Sequence, residues 1–227
     1  MSNPDIAPAP GRGKARLTET AYKEIEELIV TLQLPPGSAV SESELSRRLG
    51  IGRTPIREAL QQLARERLVK ILPQRGVIVS EINVAQQLKL IEVRRELERL
   101  VARLAALRAD REQRQLLRQI AADMVTAADG DGEYEFFRLD NEFNHLMMKA
   151  CGNEFADTAI NLTHSLSRRF WFKHRVADMQ FVARLHADVA TAAADGDAKR
   201  AAEASDALMD YVETFTRSSI DDYGTQR

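Results

Sequence analysis

Polar side chains recur at one-turn spacing in the stretch from residue 53 to residue 67. Arg57, Gln61 and Arg65 stand four residues apart, so a helix would place them on one face. The residues between them repeat at the spacing of a buried apolar stripe: Ile56, Ala59, Leu60 and Leu63. In the major groove of DNA, arginine pairs with guanine edges and glutamine with adenine edges. The pattern therefore predicts a short helix that reads DNA.

The residues before this helix supply a second helix and the turn that joins the two. The segment Ser41–Leu60 reads SESELSRRLGIGRTPIREAL. Ser41 is predicted to cap the first helix, and Gly50 to end it in a left-handed conformation. Thr54 is predicted to cap the second helix, with Pro55 at its first position. Two short helices joined in this way form a helix-turn-helix, whose second helix enters the major groove.

A β-hairpin is predicted after the second helix, which we expect to end near residue 67. The runs LVKILP and GVIVSE have β-type composition, and Gln74, Arg75 and Gly76 mark the turn between them. Arg75 and Gly76 would form the tip of a wing, where a basic side chain contacts phosphates or the minor groove.

The predicted elements divide the chain into two domains with a tail at each end. Residues 1–16 are rich in Pro, Gly and Ala and are predicted to be a disordered tail. With a further helix at 18–34, residues 17–80 form a winged helix-turn-helix domain. Residues 84–219 show helical periodicity without a coiled-coil run of consistent heptads, and their short connections predict an antiparallel six-helix bundle. Residues 220–227 are predicted to be frayed. The six helices are predicted at 84–108, 111–128, 133–150, 154–175, 178–195 and 197–219.

Charge, cysteine count and the length of the apolar runs indicate the cellular compartment and the kind of partner to expect. Its 227 residues carry a net charge of −2 and one cysteine, Cys151, so an intrachain disulfide is impossible and a reducing cytoplasm is expected. No apolar run approaches the ~20 residues that a membrane helix needs. Residues 1–80 hold 12 Lys and Arg against 9 Asp and Glu, whereas the rest hold 20 against 25. This bias favours DNA contact by the N-terminal domain.

These motifs together resemble the GntR family of bacterial transcription regulators. Pro35-Pro36-Gly37, SESELSRRLGIGRTPIREAL and LVKILPQRGVIV carry the N-terminal part of the resemblance. EVRRELE, the D-x-x-F near residue 140 and H-x(8)-DGDAKRA resemble the all-helical FCD effector domain of the FadR-type branch. The resemblance covers nearly the whole chain from about residue 18. It implies a homodimer on a near-palindromic operator, controlled by a ligand in the helical domain.

The resemblance also implies the DNA contacts. They come from the turn, the start of the recognition helix and the wing tip: Arg53, Thr54, Arg57, Arg75 and Gly76. A contact from the first helix of the motif, often arginine in the family, falls on Ser43. Gln61 is a further DNA-binding candidate because it shares the reading face.

Many domains of this branch hold a divalent metal with one Asp and three His, and two of those four positions match here. Asp140 and His186 match, whereas the others fall on Asn144 and Leu208. Asparagine is a poor ligand for Zn²⁺ or Ni²⁺, and leucine is none. His145 would lie nearly opposite Asp140 on its helix and so cannot replace Asn144. No cofactor is therefore expected, although a divalent metal stays possible.

Arg94 is the main candidate for binding an effector. It shares a helical face with apolar residues, and a buried arginine needs a partner because an unpaired buried charge is costly. The residues alone slightly favour a structural ion pair, for instance with Asp140. The resemblance favours a clamp for the carboxylate of an organic acid. The predicted effector site comprises Arg94, Asp140, Asn144, His186 and, as a weaker candidate, Arg169.

We therefore expect a DNA-binding transcription regulator and not an enzyme. It would be a repressor that binds double-stranded operator DNA as a homodimer and responds to a small organic acid, with repression resting on family analogy. The sequence lacks the common hydrolase, phosphate-binding and dinucleotide-binding signatures. One alternative is a metal-sensing or metal-dependent protein that uses Asp140 and His186. Another is a structural chromatin protein, which would not need a large acidic helical domain.

Overall fold

A computed structural model describes residues 10–73, 76–129, 133–174 and 178–219. The described residues form nine helices and three short strands. In chain order these are α1 Pro10–Val30, β1 Ala39–Val40, α2 Glu42–Leu49, α3 Arg53–Arg65, β2 Val69–Leu72, β3 Gly76–Val79, α4 Val84–Arg108, α5 Arg111–Ala128, α6 Glu133–Cys151, α7 Glu154–His174, α8 Met179–Asp195 and α9 Ala198–Ser218. The fold is thus mainly helical, with a winged helix-turn-helix followed by a helical domain, as predicted. None of the described helices is both long and apolar enough to cross a membrane.

The chain forms two compact units. The first comprises the residues up to Ile82 together with Ser165–Lys173, and the second comprises Asn83–His164 and the residues from His174 onward. Ser165–Lys173, predicted within the helical bundle, therefore belongs to the N-terminal unit.

Polar contacts explain why this segment of α7 joins the first unit. The Ser165 hydroxyl donates a hydrogen bond to the Glu26 carboxylate, and Arg168 Nη2 lies 3.3 Å from Glu27 Oε2. Burial raises the pKa of Glu26, although the Ser165 hydrogen bond and the charge of Arg168 oppose that shift. Apolar periodicity predicted helix α7 correctly. It carries no information about which of the two units a segment of that helix packs against.

The core of the first unit lies between α1, α3 and the small sheet. Its members are buried apolar side chains from each element, including Ala21, Ile25, Ile29, Ile56, Leu60, Leu63, Leu68 and Val79. Full burial of one such aliphatic side chain stabilises the fold by about 1.5–3 kcal/mol. The apolar stripe predicted on the recognition helix is therefore what fixes α3 to the unit.

The sheet is antiparallel with strand order β1-β3-β2. The hairpin of β2 and β3 matches the prediction, with Val69 opposite Val79 and Leu72 opposite Gly76. Strand β1, which pairs Ala39 with Ile78, was not predicted, because two residues show no alternation and only the β3 ladder defines them.

The bounds of α1 differ from the prediction at both ends. The tail predicted at 1–16 is helical from Pro10 onward; residues 1–9, like the tail at 220–227, lie outside the described part of the chain. Proline fits a first turn and the following Arg, Lys and Ala favour a helix, so α1 extends N-terminally. It ends at Val30 and not near residue 34, since Leu32 adopts a φ of 60°.

The caps of the helix-turn-helix agree with the prediction for α2 but not for α3. Ser41 caps α2 by accepting a hydrogen bond from the Glu44 amide, and Gly50 follows α2 with a φ of 66°. Helix α3 begins two residues earlier than expected, with Gly52 as its N-cap and no side-chain cap bond. Thr54 therefore lies inside the first turn, which leaves its hydroxyl on the exposed face of α3.

The helical domain follows the predicted bounds to within one residue at each described end. Local caps explain this agreement: Asn83, Asp110, Asp178 and Asp197 each accept a backbone hydrogen bond at the start of a helix. In the second unit α4 packs on α6, α8 and α9, and α5 packs on α6 and α8. These contacts bring the helices carrying Arg94, Asp140 and His186 against one another.

Candidate nucleic-acid interface and ligand site

Helix α3 has one buried face and one solvent-exposed polar face. Ile56, Ala59, Leu60 and Leu63 are almost completely buried. The exposed residues are Arg53, Thr54, Arg57, Gln61 and Arg65. A short helix anchored on its apolar side and polar on the other side suits the major groove. The structure thus brings four predicted DNA-binding residues together on one surface: Arg53, Thr54, Arg57 and Gln61.

A carboxylate that no sequence motif singled out, that of Glu42, holds Arg57. Glu42, the first residue of α2, accepts from Arg57 Nε at 3.0 Å and from Nη2 at 2.8 Å. The hydrogen bond from Arg57 lowers the pKa of Glu42, and the same pair raises the pKa of Arg57. The side chain of Arg57 is 60% exposed and that of Glu42 is 30% exposed, so solvent screens the attraction between their charges. No local spacing rule connects residues 15 apart, so only the fold reveals this contact.

The remaining DNA-binding candidates lie on α2 and at the wing. Ser43 is exposed on α2. Gly76 opens β3 with a φ of 81°, a conformation that favours glycine. Arg75 lies outside the described residues.

Three predicted effector residues meet in the helical domain. His186 Nε2 lies 3.1 Å from Asp140 Oδ1, and Asn144 Nδ2 donates to the same oxygen at 3.3 Å. The other ring nitrogen of His186, Nδ1, lies 2.9 Å from the Val182 carbonyl oxygen. The imidazole is therefore held at both nitrogens, beside a carboxylate that is 13% exposed.

The side chains around Asp140, Asn144 and His186 do not fit the metal site found in many domains of this branch of the family. The rings of Phe136 and Phe143 lie edge-on to His186, with centroid distances of 5.6 and 5.8 Å. Leu208 is buried in the core, and His145 is exposed, about 100° around α6 from the buried Asn144. Within the described ranges no cluster of three His, Cys, Asp or Glu could hold a metal. Asp140 and His186 supply only two of the four ligands of that site, because Asn144 and Leu208 occupy the other two positions.

Arg94 is buried and forms an ion pair with Glu98, and not with Asp140, the partner suggested from the sequence. Its Nε lies 2.9 Å from Glu98 Oε1, one turn further along α4. His164 Nε2 approaches the same oxygen at 2.8 Å. Burial would raise the pKa of Glu98, but the charges and hydrogen bonds of Arg94 and His164 outweigh it and lower that pKa to about 2. The four-residue spacing of Arg94 and Glu98 was visible in the sequence, whereas the contribution of His164 depends on the fold.

Arg169, the weaker effector candidate, lies in the first unit instead. It is almost completely buried and donates a hydrogen bond to the Ser80 carbonyl oxygen. Burial lowers its pKa to about 10, against the opposing charge of Glu81. These contacts give Arg169 a structural role in the N-terminal unit and do not support its assignment to the effector site.

Two family models match the chain. Residues 17–79 match the bacterial regulatory proteins of the gntR family, and residues 89–211 match the FCD domain. The first covers the helix-turn-helix and wing, and the second covers most of the helices from α4 to α9.

Known relatives are transcription regulators. The chain is 32% identical over 186 residues to the HTH-type transcriptional repressor RspR of Escherichia coli K12, covering 80% of this chain and 82% of RspR. It is 31% identical over 205 residues to an HTH-type regulator from an unstable DNA locus of Streptomyces ambofaciens, covering 88% and 82% of the two chains. The solved structure of E. coli McbR/YncC shares the fold, with a TM-score of 0.77, 17% identity and coverage of 90% and 98%. The chain therefore belongs to the GntR family of bacterial transcription regulators, with a C-terminal FCD domain, and it is not an enzyme.

Proposed function

We propose that this regulator is a repressor that binds a near-palindromic operator as a homodimer and releases it when a small carboxylate-bearing metabolite binds the helical domain. The exposed polar face of α3, fixed by a fully buried apolar stripe, carries the proposal. The name of RspR as a repressor supports the direction of control. Operator DNA as the partner, together with a single buried cysteine, supports a cytoplasmic location.

Arg57 is the central DNA-binding residue of this proposal. Glu42 engages Nε and Nη2 of its guanidinium, which leaves Nη1 to donate to a base edge or phosphate. Holding a long side chain in one orientation reduces the rotamer entropy lost on binding. Arg53 and Thr54 stand one turn earlier on the same exposed face, so they would reach the adjoining phosphates.

The recognition-helix assignment is tested by replacing Arg57 with alanine. The probe is a duplex carrying the DNA upstream of the regulator's own gene, compared with a random duplex at one salt concentration by fluorescence anisotropy. Arg57→Ala should lose about tenfold to a hundredfold of the preference for the specific duplex. Arg111→Ala, at an exposed position of α5, is the matched control and should keep that preference. Full discrimination by the Arg57 variant would refute the assignment.

Arg94 supports an organic acid as the effector. Its buried guanidinium uses Nε for Glu98, and it makes no other hydrogen bond to a described residue. The Nη1 and Nη2 edge has the geometry that grips a carboxylate with two parallel hydrogen bonds. Asp140 and His186 would add a polar pair from α6 and α8, both of which pack on α4.

A thermal-shift screen of small organic and sugar acids tests the effector proposal. At least one acid should raise the unfolding temperature and release the upstream duplex. Arg94→Lys should abolish this response because an ammonium group cannot make the two-pronged contact. Arg95→Lys is the control, since Arg95 pairs with Asp210 and Glu213. An acid that strengthened DNA binding would contradict release, and an unchanged response in the Arg94 variant would contradict the clamp.

A further inference from the structure

A buried arginine and a buried serine in the first unit each carry a polar atom without a hydrogen-bond partner. Arg169 on α7 is 1% exposed, and Ser80, the residue after β3, is 7% exposed. Arg169 Nη2 donates to the Ser80 carbonyl oxygen, which places the guanidinium beside this serine. Arg169 Nε and Ser80 Oγ, in contrast, have no hydrogen-bond partner among the described residues. Such atoms are rare in native proteins, because each has lost its water without a replacement.

The charge of Arg169 is not offset by a bound carboxylate. Its bond to Ser80 is the only hydrogen bond that it makes to a described residue. The preceding Arg168 also has an Nε without a partner, but its guanidinium lies beside the Glu27 carboxylate. Burial lowers the pKa of Arg169 only to about 10, so the side chain stays protonated at neutral pH. A buried charge is costly unless an opposite charge accompanies it.

Glu81 is the nearest acidic residue along the chain, but it does not pair with Arg169. Its charge acts on the pKa of Arg169, yet no hydrogen bond or ion pair joins the two side chains. Its carboxylate lies against Gly37 instead, where an added Cβ would stand 2.5 Å from Glu81 Oε1. Glu81 is also exposed, so solvent screens its charge. Within the described part of the chain, no carboxylate neutralises the buried guanidinium.

We propose that Arg169 Nε and Ser80 Oγ bind a chloride ion, which supplies the missing negative charge. Both groups can donate a hydrogen bond, so the bound species must accept two. Water can accept both bonds, but it leaves the charge of Arg169 unpaired. A monovalent, single-atom anion matches the single positive charge and the small space between two residues that are each less than a tenth exposed. The ion joins the end of β3 to α7 inside the first unit and is a structural ligand, distinct from the effector.

Bromide locates the site directly, because it replaces chloride and scatters X-rays anomalously. Crystals of the full-length protein grown with sodium bromide should show an anomalous peak within hydrogen-bonding distance of Arg169 Nε and Ser80 Oγ. Density for a water molecule without anomalous signal at that position would overturn the proposal.

Chloride-dependent unfolding tests the site in solution. Chloride is exchanged for gluconate at constant ionic strength, since gluconate is too large for the space between the two donors. Unfolding is followed by the fluorescence of Trp171, the only tryptophan of the chain, which is buried two residues after Arg169. An ion that binds only the folded state raises the unfolding temperature, by about 3–6 °C at a tenfold excess over its Kd. Wild-type protein should show this rise.

Matched substitutions separate anion binding from loss of the fold. Arg169→Met keeps most of the volume of the side chain and removes its charge, so the dependence on chloride should disappear while the chain still folds. Ser80→Ala keeps the charge but removes one donor, and it should raise the chloride Kd by about tenfold. Arg108→Met removes another arginine that donates to a backbone carbonyl, that of Cys151, and should keep the wild-type response.

Three results would overturn the chloride site. The first is a wild-type unfolding temperature that does not depend on chloride, and the second is an equal dependence in Arg169→Met. The third concerns Glu81→Gln, which should respond to chloride as wild-type protein does. A response confined to this variant would show that Glu81 neutralises Arg169 in wild-type protein. None of these results bears on operator binding, since the inference does not rest on the proposed function.

Discussion

Replacing Glu98 with glutamine should destabilise the helical domain through a buried network. Glu98 accepts hydrogen bonds from both Arg94 and His164 on one oxygen, and the side chains of Arg94 and Glu98 are only 9% and 14% exposed. Glutamine keeps the size of the side chain but removes its charge. The buried guanidinium of Arg94 would then lose its counter-ion, and such a loss costs about 3–5 kcal/mol.

The lowered pKa of Glu98 expresses the stabilisation by these same contacts as a dependence on pH. A value of about 2 in the fold, against an ordinary 4.5, corresponds to about 3 kcal/mol of stability at neutral pH. Since folding lowers this pKa, the stabilisation is complete well above pH 4.5 and is lost as the pH falls from 4.5 through 2. At pH 3, which lies between these two values, the carboxylate should therefore contribute less than half of what it contributes at neutral pH.

Urea denaturation followed by far-UV circular dichroism would measure both effects. At pH 7 Glu98→Gln should lower the free energy of unfolding by about 3 kcal/mol, and at pH 3 the difference should fall to less than half of that. Glu203→Gln, which removes an exposed carboxylate paired with Lys199, should change little at either pH. A loss below about 1 kcal/mol at pH 7, or one that does not depend on pH, would refute the reasoning.

Further predictions concern the DNA-binding face, the turn of the motif and the metal ligands. Glu42→Gln should weaken binding of the upstream duplex by anisotropy, because Arg57 loses the carboxylate that orients it; unchanged affinity would remove the orienting role. Gly50→Ala should lower the free energy of unfolding by about 1 kcal/mol in urea, since its φ of 66° is strained for alanine. Asn144→His with Leu208→His supplies the two imidazoles missing from the family's metal pattern. This variant should gain a thermal shift with Ni²⁺ that wild-type protein lacks, and a wild-type shift of equal size would contradict our reading of the donor set.

Local signals account for how closely the helical domain was predicted. Each helix carries its own apolar period, and five of the six starts have a side-chain cap within the same few residues: Asn83, Asp110, Asn153, Asp178 and Asp197. A cap bond forms between a side chain and a backbone amide two or three positions away, so it can be inferred from sequence alone. The start of α3 was misplaced because Gly52 caps it without a side-chain bond.

The sequence by itself determined the two-faced recognition helix, the wing, the helical domain and the family to which the chain belongs. These features follow from periodicity, caps and turn residues, all of which act within a few positions. Only the tertiary structure decided that Glu42 holds Arg57, that His164 joins the Arg94–Glu98 pair by contacting Glu98, and that Arg169 belongs to the N-terminal unit. The physical reason is that a buried or bridging charge takes the nearest oppositely charged or hydrogen-bonding group in space, and its distance along the chain does not enter that choice.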